Sequence, residues 1–205
     1  MDTSIAMAVA LGAFFVLVVV VYSRLVALRN RVESNLAQID AQLKRRHDLI
    51  PSLVETARGY LANERGTLDE VMAARDSARV AGQAAPGAGR GLDPETMTAL
   101  ARAEGALSST LGRLFALAEA HPDLRADRNM MRLSEEIAAT ENALSLSRQA
   151  FDDAVTQLNT ALEAFPAVLF AGMIGFRRAS PLGPLGPLGS AFDRAFDRRQ
   201  EPPGR

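Results

Sequence analysis
Residues 24–60 read RLVALRNRVESNLAQIDAQLKRRHDLIPSLVETARGY, and the spacing of their apolar side chains decides the fold. Val32, Leu36, Ile39, Leu43, Ile50, Leu53, Ala57 and Leu61 recur mostly three and four residues apart, which places them on one helical face. The stripe continues through Leu68, Val71 and Ala78, so the spacing predicts one long amphipathic helix over 24–81. Such a face needs a partner. Pro51 lacks an N–H and crowds the carbonyl of His47, so a kink is expected near Asp48, with a full reversal at Pro51 as the alternative.

Upstream, residues 5–21 (IAMAVALGAFFVLVVVV) form an unbroken apolar run, and with Tyr22 they approach the roughly 20 residues needed to cross a bilayer. A cleaved signal peptide is the rival reading. It wants a positively charged start, whereas the residues ahead of the run carry Asp2 and no Lys or Arg. The run is therefore read as a single transmembrane anchor over 5–22, behind a short tail over 1–4. Arg24, Arg29 and Arg31 follow it, which predicts an outward N-terminus and a cytoplasmic body. No Gly or Pro separates anchor from body, so the two helices are expected to be continuous.

Downstream, residues 82–91 hold four glycines and a proline and read as a flexible loop. Neither a Lys-Ser/Thr pair nor a preceding strand supports a phosphate cradle there. Asp93-Pro94-Glu95 announces a second helix, with Met97, Leu100, Leu107, Leu111, Leu114 and Ala118 as its stripe. His121-Pro122-Asp123 ends it. A third helix is predicted over 126–165 through Met130, Leu133, Ile137, Leu144, Phe151, Val155, Leu158, Leu162 and Phe165, at near-heptad spacing that suits a coiled coil. The fold expected is all-α: an anchor followed, over 23–165, by an antiparallel bundle of three long helices, or four if the first breaks at Pro51. Residues 166–176 form an apolar segment too short to span a bilayer, and 177–205 a low-complexity tail expected to be disordered, with a short helix over 190–199 as the exception allowed. Three passes would leave that apolar segment far from the membrane. A reversal at Pro51 would return it, with Leu169, Phe170, Met173 and Phe176 able to enter the interface.

The composition narrows function. Cysteine and tryptophan are absent, two histidines are present, and the formal net charge is −1. Disulfide and thiolate chemistry are excluded, a structural zinc site is not expected, and there is no basic face to track nucleic acid. The carboxylates Asp48, Glu55, Glu64, Glu135, Glu136 and Glu141 offer no converging pair, and Glu-x-x-His is missing. No catalytic residue, metal or cofactor is therefore assigned, and the chain is not read as an enzyme. The candidate interaction residues are Lys44, Arg45, Arg46, His47 and Asp48, together with Leu169, Phe170, Met173 and Phe176. The basic cluster starts about 33 Å along the helix from Tyr22, several Debye lengths from any headgroup. It is therefore expected to pair with acids on the third helix such as Glu135, Glu136 or Glu141. Arg75, by contrast, is expected to be an exposed position at which alanine costs little.

The opening stretch, with TLDEVMAARDSA (67–78), FALAEAHPDLRADRNMMRLSEEIAATEN (115–142) and FDDAVTQLNTALEAFPAVLFAGMIGF (151–176), strongly resembles the LemA family of bacterial membrane proteins over about residues 25–176. The chain departs from that family's usual pattern at Leu36, Asn63 and His121, where Trp, His and Tyr are common. The resemblance implies an N-terminally anchored helical bundle and supplies no substrate. Two roles follow as expectations. One is a scaffold or adaptor for an unidentified membrane or cytoplasmic protein, with homo-oligomers among the options. The other is a membrane-acting protein that uses its apolar C-terminal segment on lipid.

Overall fold
The structure is a computed structural model that describes residues 2–84, 94–172 and 174–182. Every regular element among them is helical: α1 Asp2–Arg58, α2 Arg65–Ala84, α3 Pro94–Ala120, the short α4 Pro122–Ala126, α5 Arg128–Glu163 and the single turn α6 Ala167–Phe170. The expected N-cap Asp93, most of the glycine-rich loop, Met173 and the tail over 183–205 lie outside the described residues.

The first helix is not continuous to Ala81. It ends at Arg58, and residues 59–64 turn the chain back. Amides of Tyr60 and Leu61 donate to the Ala57 carbonyl at 3.0 and 2.9 Å, and that of Glu64 donates to Leu61 at 3.0 Å. Leu61 sits at the floor of this turn, fully buried. The stripe thus passes through a reversal without losing register, which is why spacing alone reads as one helix. The Tyr60 hydroxyl donates to Asp127 Oδ2 at 3.0 Å, tying the turn to the start of α5. Asp127 also caps α5 by accepting from the Met130 amide at 2.9 Å.

Pro51 lies inside α1, which runs through it without a break. The His47 carbonyl, deprived of the amide that a non-proline residue at 51 would supply, instead accepts from Arg75 Nε of α2 at 2.9 Å. Arg75 is therefore not an innocuous surface position. Arg75→Ala is expected to destabilise the protein by about 1–3 kcal/mol, since a partly buried carbonyl loses a charged donor. A urea midpoint equal to that of the parent would show that the carbonyl has another partner.

The long helices pack as α1 against α5, α2 against α3 and α1 against α2. Arg31 meets Gln157, Asn35 donates to the Ala150 carbonyl and Arg46 meets Glu141, so α1 and α5 run in opposite directions. One apolar cluster fills the end far from the apolar run, around Ile50, Leu53, Val71, Leu111, Leu124 and Ile137. A second lies nearer the run, around Leu25, Ile39, Leu43, Leu100, Phe151 and Leu158.

Because the chain reverses at residues 59–64, α5 comes back to the base of α1. Val18, Val21 and Leu25 share a small crevice with Pro166, Ala167 and Ile174, and the rings of Tyr22 and Phe176 meet edge to face at 6.1 Å. The three-pass expectation, with the apolar segment far from the anchor, is overturned. The extra reversal returns it, at 59–64 rather than at Pro51. Phe165, read as the last residue of the third helix's stripe, is 80% exposed, because α5 ends at Glu163 just before it.

After α6, the chain turns at Gly175, whose φ of +85° favours glycine, and the Phe176 amide closes the turn on the Ala171 carbonyl at 3.0 Å. Residues 177–182 then climb α5 as an extended strap. Asn159 grips both the carbonyl and the amide of Ala179, at 2.9 and 3.0 Å. The Leu182 amide donates to Asp152 at 3.1 Å while Leu182 itself is buried. This part of the expected disordered tail is a packed element, because side chains on α5 supply the hydrogen bonds that a lone extended segment lacks.

Candidate functional site: a buried ion cluster between two apolar clusters
The basic stretch over 44–48 divides by helix face. Lys44, Arg45 and Asp48 point to solvent, whereas Arg46 and His47 are buried. Arg46 is three residues beyond Leu43 and four before Ile50, so it occupies a position on the apolar stripe itself. Its guanidinium binds Glu104 of α3 in a short contact through Nη2. Through Nη1 it donates to Glu141 Oε2 of α5 at 2.7 Å and Ser108 Oγ at 3.3 Å. His47 Nε2 stands 3.0 Å from Glu104 Oε1, an ion-pair distance although off line for a well-aligned hydrogen bond. Arg46 Nε has no hydrogen-bond partner among the described residues.

Three helices thus each place charge at one level. Arg46 lies between Leu43 and Ile50, Glu104 between Leu100 and Leu107, and Glu141 between Ile137 and Leu144, and in each trio the two flanking residues belong to different apolar clusters. The ions form a polar layer that separates the two. Burial pushes the Glu104 carboxyl up, but its contact with His47 and the charges of Arg46 and His47 outweigh that, leaving it below its ordinary pKa. Glu141 goes the other way. Burial raises it, Glu104 adds to the rise, and Arg46 offsets only part. Thr110 and Thr140, also buried, satisfy their hydroxyls on the carbonyls of Leu107 and Ile137 within their own helices.

Glu141 was among the acids expected to face the basic stretch. Glu135 is exposed, and Glu136 accepts from Arg132 on its own helix. Glu104 escaped the sequence reading, although a signal was there: it stands four residues after Leu100 and three before Leu107, an acid on an apolar stripe. Arg46 and Glu104 are buried and tie three helices in register, while the Glu141 side chain keeps 22% of its surface open. Among the described residues no three His, Asp or Glu side chains gather as metal ligands.

The second set of candidates lies at the end of the body beside the apolar run. Leu169 is 59% exposed, and Phe176 is half-buried against Tyr22. Met173 and the side chain of Phe170 are outside the described residues.

The model of the LemA family matches residues 35–182. The chain is 22% identical over 182 residues to the magnetosome protein MamQ of Magnetospirillum gryphiswaldense, covering 82% of this chain and 67% of that protein. It is also 22% identical over 180 residues to magnetosome proteins MamQ 1 and MamQ 2 of Paramagnetospirillum magneticum, covering 82% of this chain and 66% of each. The chain therefore spans about two thirds of the length of these relatives, whose names state no reaction.

Proposed function
The chain belongs to the LemA family, and from there we propose that it is a membrane-anchored scaffold or adaptor without catalytic activity, presenting the faces of an antiparallel helical bundle to another protein. The continuity of α1 carries this reading. One helix of 57 residues holds both a stretch long and apolar enough to cross a membrane, none of whose most apolar window is buried inside the chain, and the spine of the body. From Tyr22 to Arg58 such a helix rises about 54 Å, and its packing on α5 leaves no hinge between anchor and body. A rigid stalk of this kind fixes the height and orientation of whatever binds it. The burial of Arg46 and Glu104 supports the non-catalytic reading, since neither of these charges is open to a ligand.

The body is placed on the cytoplasmic side, because carrying Arg24, Arg29 and Arg31 outward opposes the membrane potential by about 2.3 kcal/mol per charge per 100 mV. The absence of cysteine makes labelling clean. In intact cells an impermeant maleimide should label Thr3→Cys and spare Leu146→Cys, both exposed positions. The reverse pattern would overturn the orientation. The scaffold reading itself is tested by detergent pull-down: a specific protein partner lost on substituting exposed body residues, with the fold intact, supports it.

A further inference from the structure
We propose that the returned C-terminal segment, residues 165–172 and 174–176, is a second membrane contact: a collar around the foot of α1 that seats in the anionic interface of the bilayer α1 crosses. The inference rests on the anchored reading and extends it from one spanning helix to a two-part attachment.

The collar is apolar where the chain does not cover it. Phe165 is 80% exposed, Leu169 59%, Val168 54% and Ile174 44%, a concentration of bare side chains that water disfavours. Its height identifies the occupant. Ile174 and Ala167 share their crevice with Leu17, Val18 and Val21, residues of the apolar run itself, so the collar surface is continuous with the surface of the span. Leu17 lies about 8 Å along the helix below Tyr22, within the depth of about 5–10 Å at which interfacial segments bury their apolar faces.

The charges fit the same placement. Arg24 lines the groove above the collar between α1 and α5, and Arg177 and Arg178 leave the collar exposed. Glu163, paired with Arg178, is the acid in contact with this rim, so positive charge is in excess where anionic headgroups would lie. A protein partner would meet the same apolar residues only by displacing lipid from around the foot of the span.

Tryptophan is absent from the chain, so single substitutions report depth directly. Full-length protein carrying Phe15→Trp, Leu169→Trp or Leu146→Trp is placed in nanodiscs of phosphatidylcholine and phosphatidylglycerol with brominated acyl chains. All three sites are exposed, so the fold should tolerate the exchange. Emission should fall by about half or more at Phe15→Trp and Leu169→Trp, and stay unchanged at Leu146→Trp on the body. Quenching at Phe15→Trp but not at Leu169→Trp would leave the anchor standing and overturn the collar. No quenching at Phe15→Trp would overturn the anchored reading and the collar with it. Equal quenching of Leu169→Trp in discs without phosphatidylglycerol would defeat the role given to the basic rim.

Discussion

Glu104→Ala should cost about 3–5 kcal/mol of folding free energy, because it strips the main counter-charge from a guanidinium that has no route to water. Arg46 would keep only Glu141 and Ser108, and His47 would lose its acid. The layer as a whole is a different matter. Converting the buried Arg46 and Glu104 together to apolar residues of similar volume should recover much of the loss, since the desolvation of both ions is then avoided. Urea unfolding of the single and double variants, followed by circular dichroism, distinguishes the two effects. A Glu104→Ala midpoint equal to that of the parent would mean that solvent reaches the Arg46 guanidinium.

The two carboxyls of the cluster, Glu104 and Glu141, set an acid dependence. Glu104 has a lowered pKa in the folded protein, so its ionised form contributes stability above the ordinary carboxylate range, and that contribution is lost as the pH falls through the lowered value. Glu141 has a raised pKa, so its ionised form costs stability at neutral pH, and protonation relieves that cost as the pH falls through the raised value. In Glu104→Gln the acid-side loss should flatten, and in Glu141→Gln it should remain.

Phe151→Ala should cost a similar amount, about 3–5 kcal/mol, by opening a cavity in the cluster nearer the apolar run. Phe151 is fully buried. Its cluster also holds Val32 and Ile39 on the long helix α1 and Leu182 on the strap that α5 binds by hydrogen bonds. Leu53→Ala, in the far cluster, should cost about 2–5 kcal/mol. Comparing the two also tests the polar layer: if each substitution lowers the unfolding midpoint of the whole chain, the layer transmits cooperativity. Loss of the near half alone in Phe151→Ala would show two independently melting units.

Helical class, the candidate span and most of the packing faces were legible in the order of residues, because helical periodicity is a local property. The buried positions Val32, Ile39, Leu43, Leu53, Leu107, Leu111, Ile137 and Leu158 all fall on stripes visible without coordinates. The stop at His121-Pro122 is likewise a local signal, whereas the Asp127 cap was missed, the third helix having been expected from residue 126. What the order of residues did not decide was direction. A six-residue turn at 59–64 holds Leu61 inward, so the apolar period survives the reversal, and only the packing of α2 back onto α1 reveals it. That one reversal moves the C-terminal apolar segment from the far end of the body to the foot of the span. Glu104 and Arg46 stand on apolar stripes, yet only tertiary structure shows that they meet, since the helices that bring them together are separated by the whole of α2. Arg75 is the same case at the scale of one bond: Pro51 announces an orphaned carbonyl at His47, but a residue 28 positions away in sequence satisfies it, and only the fold could choose that partner.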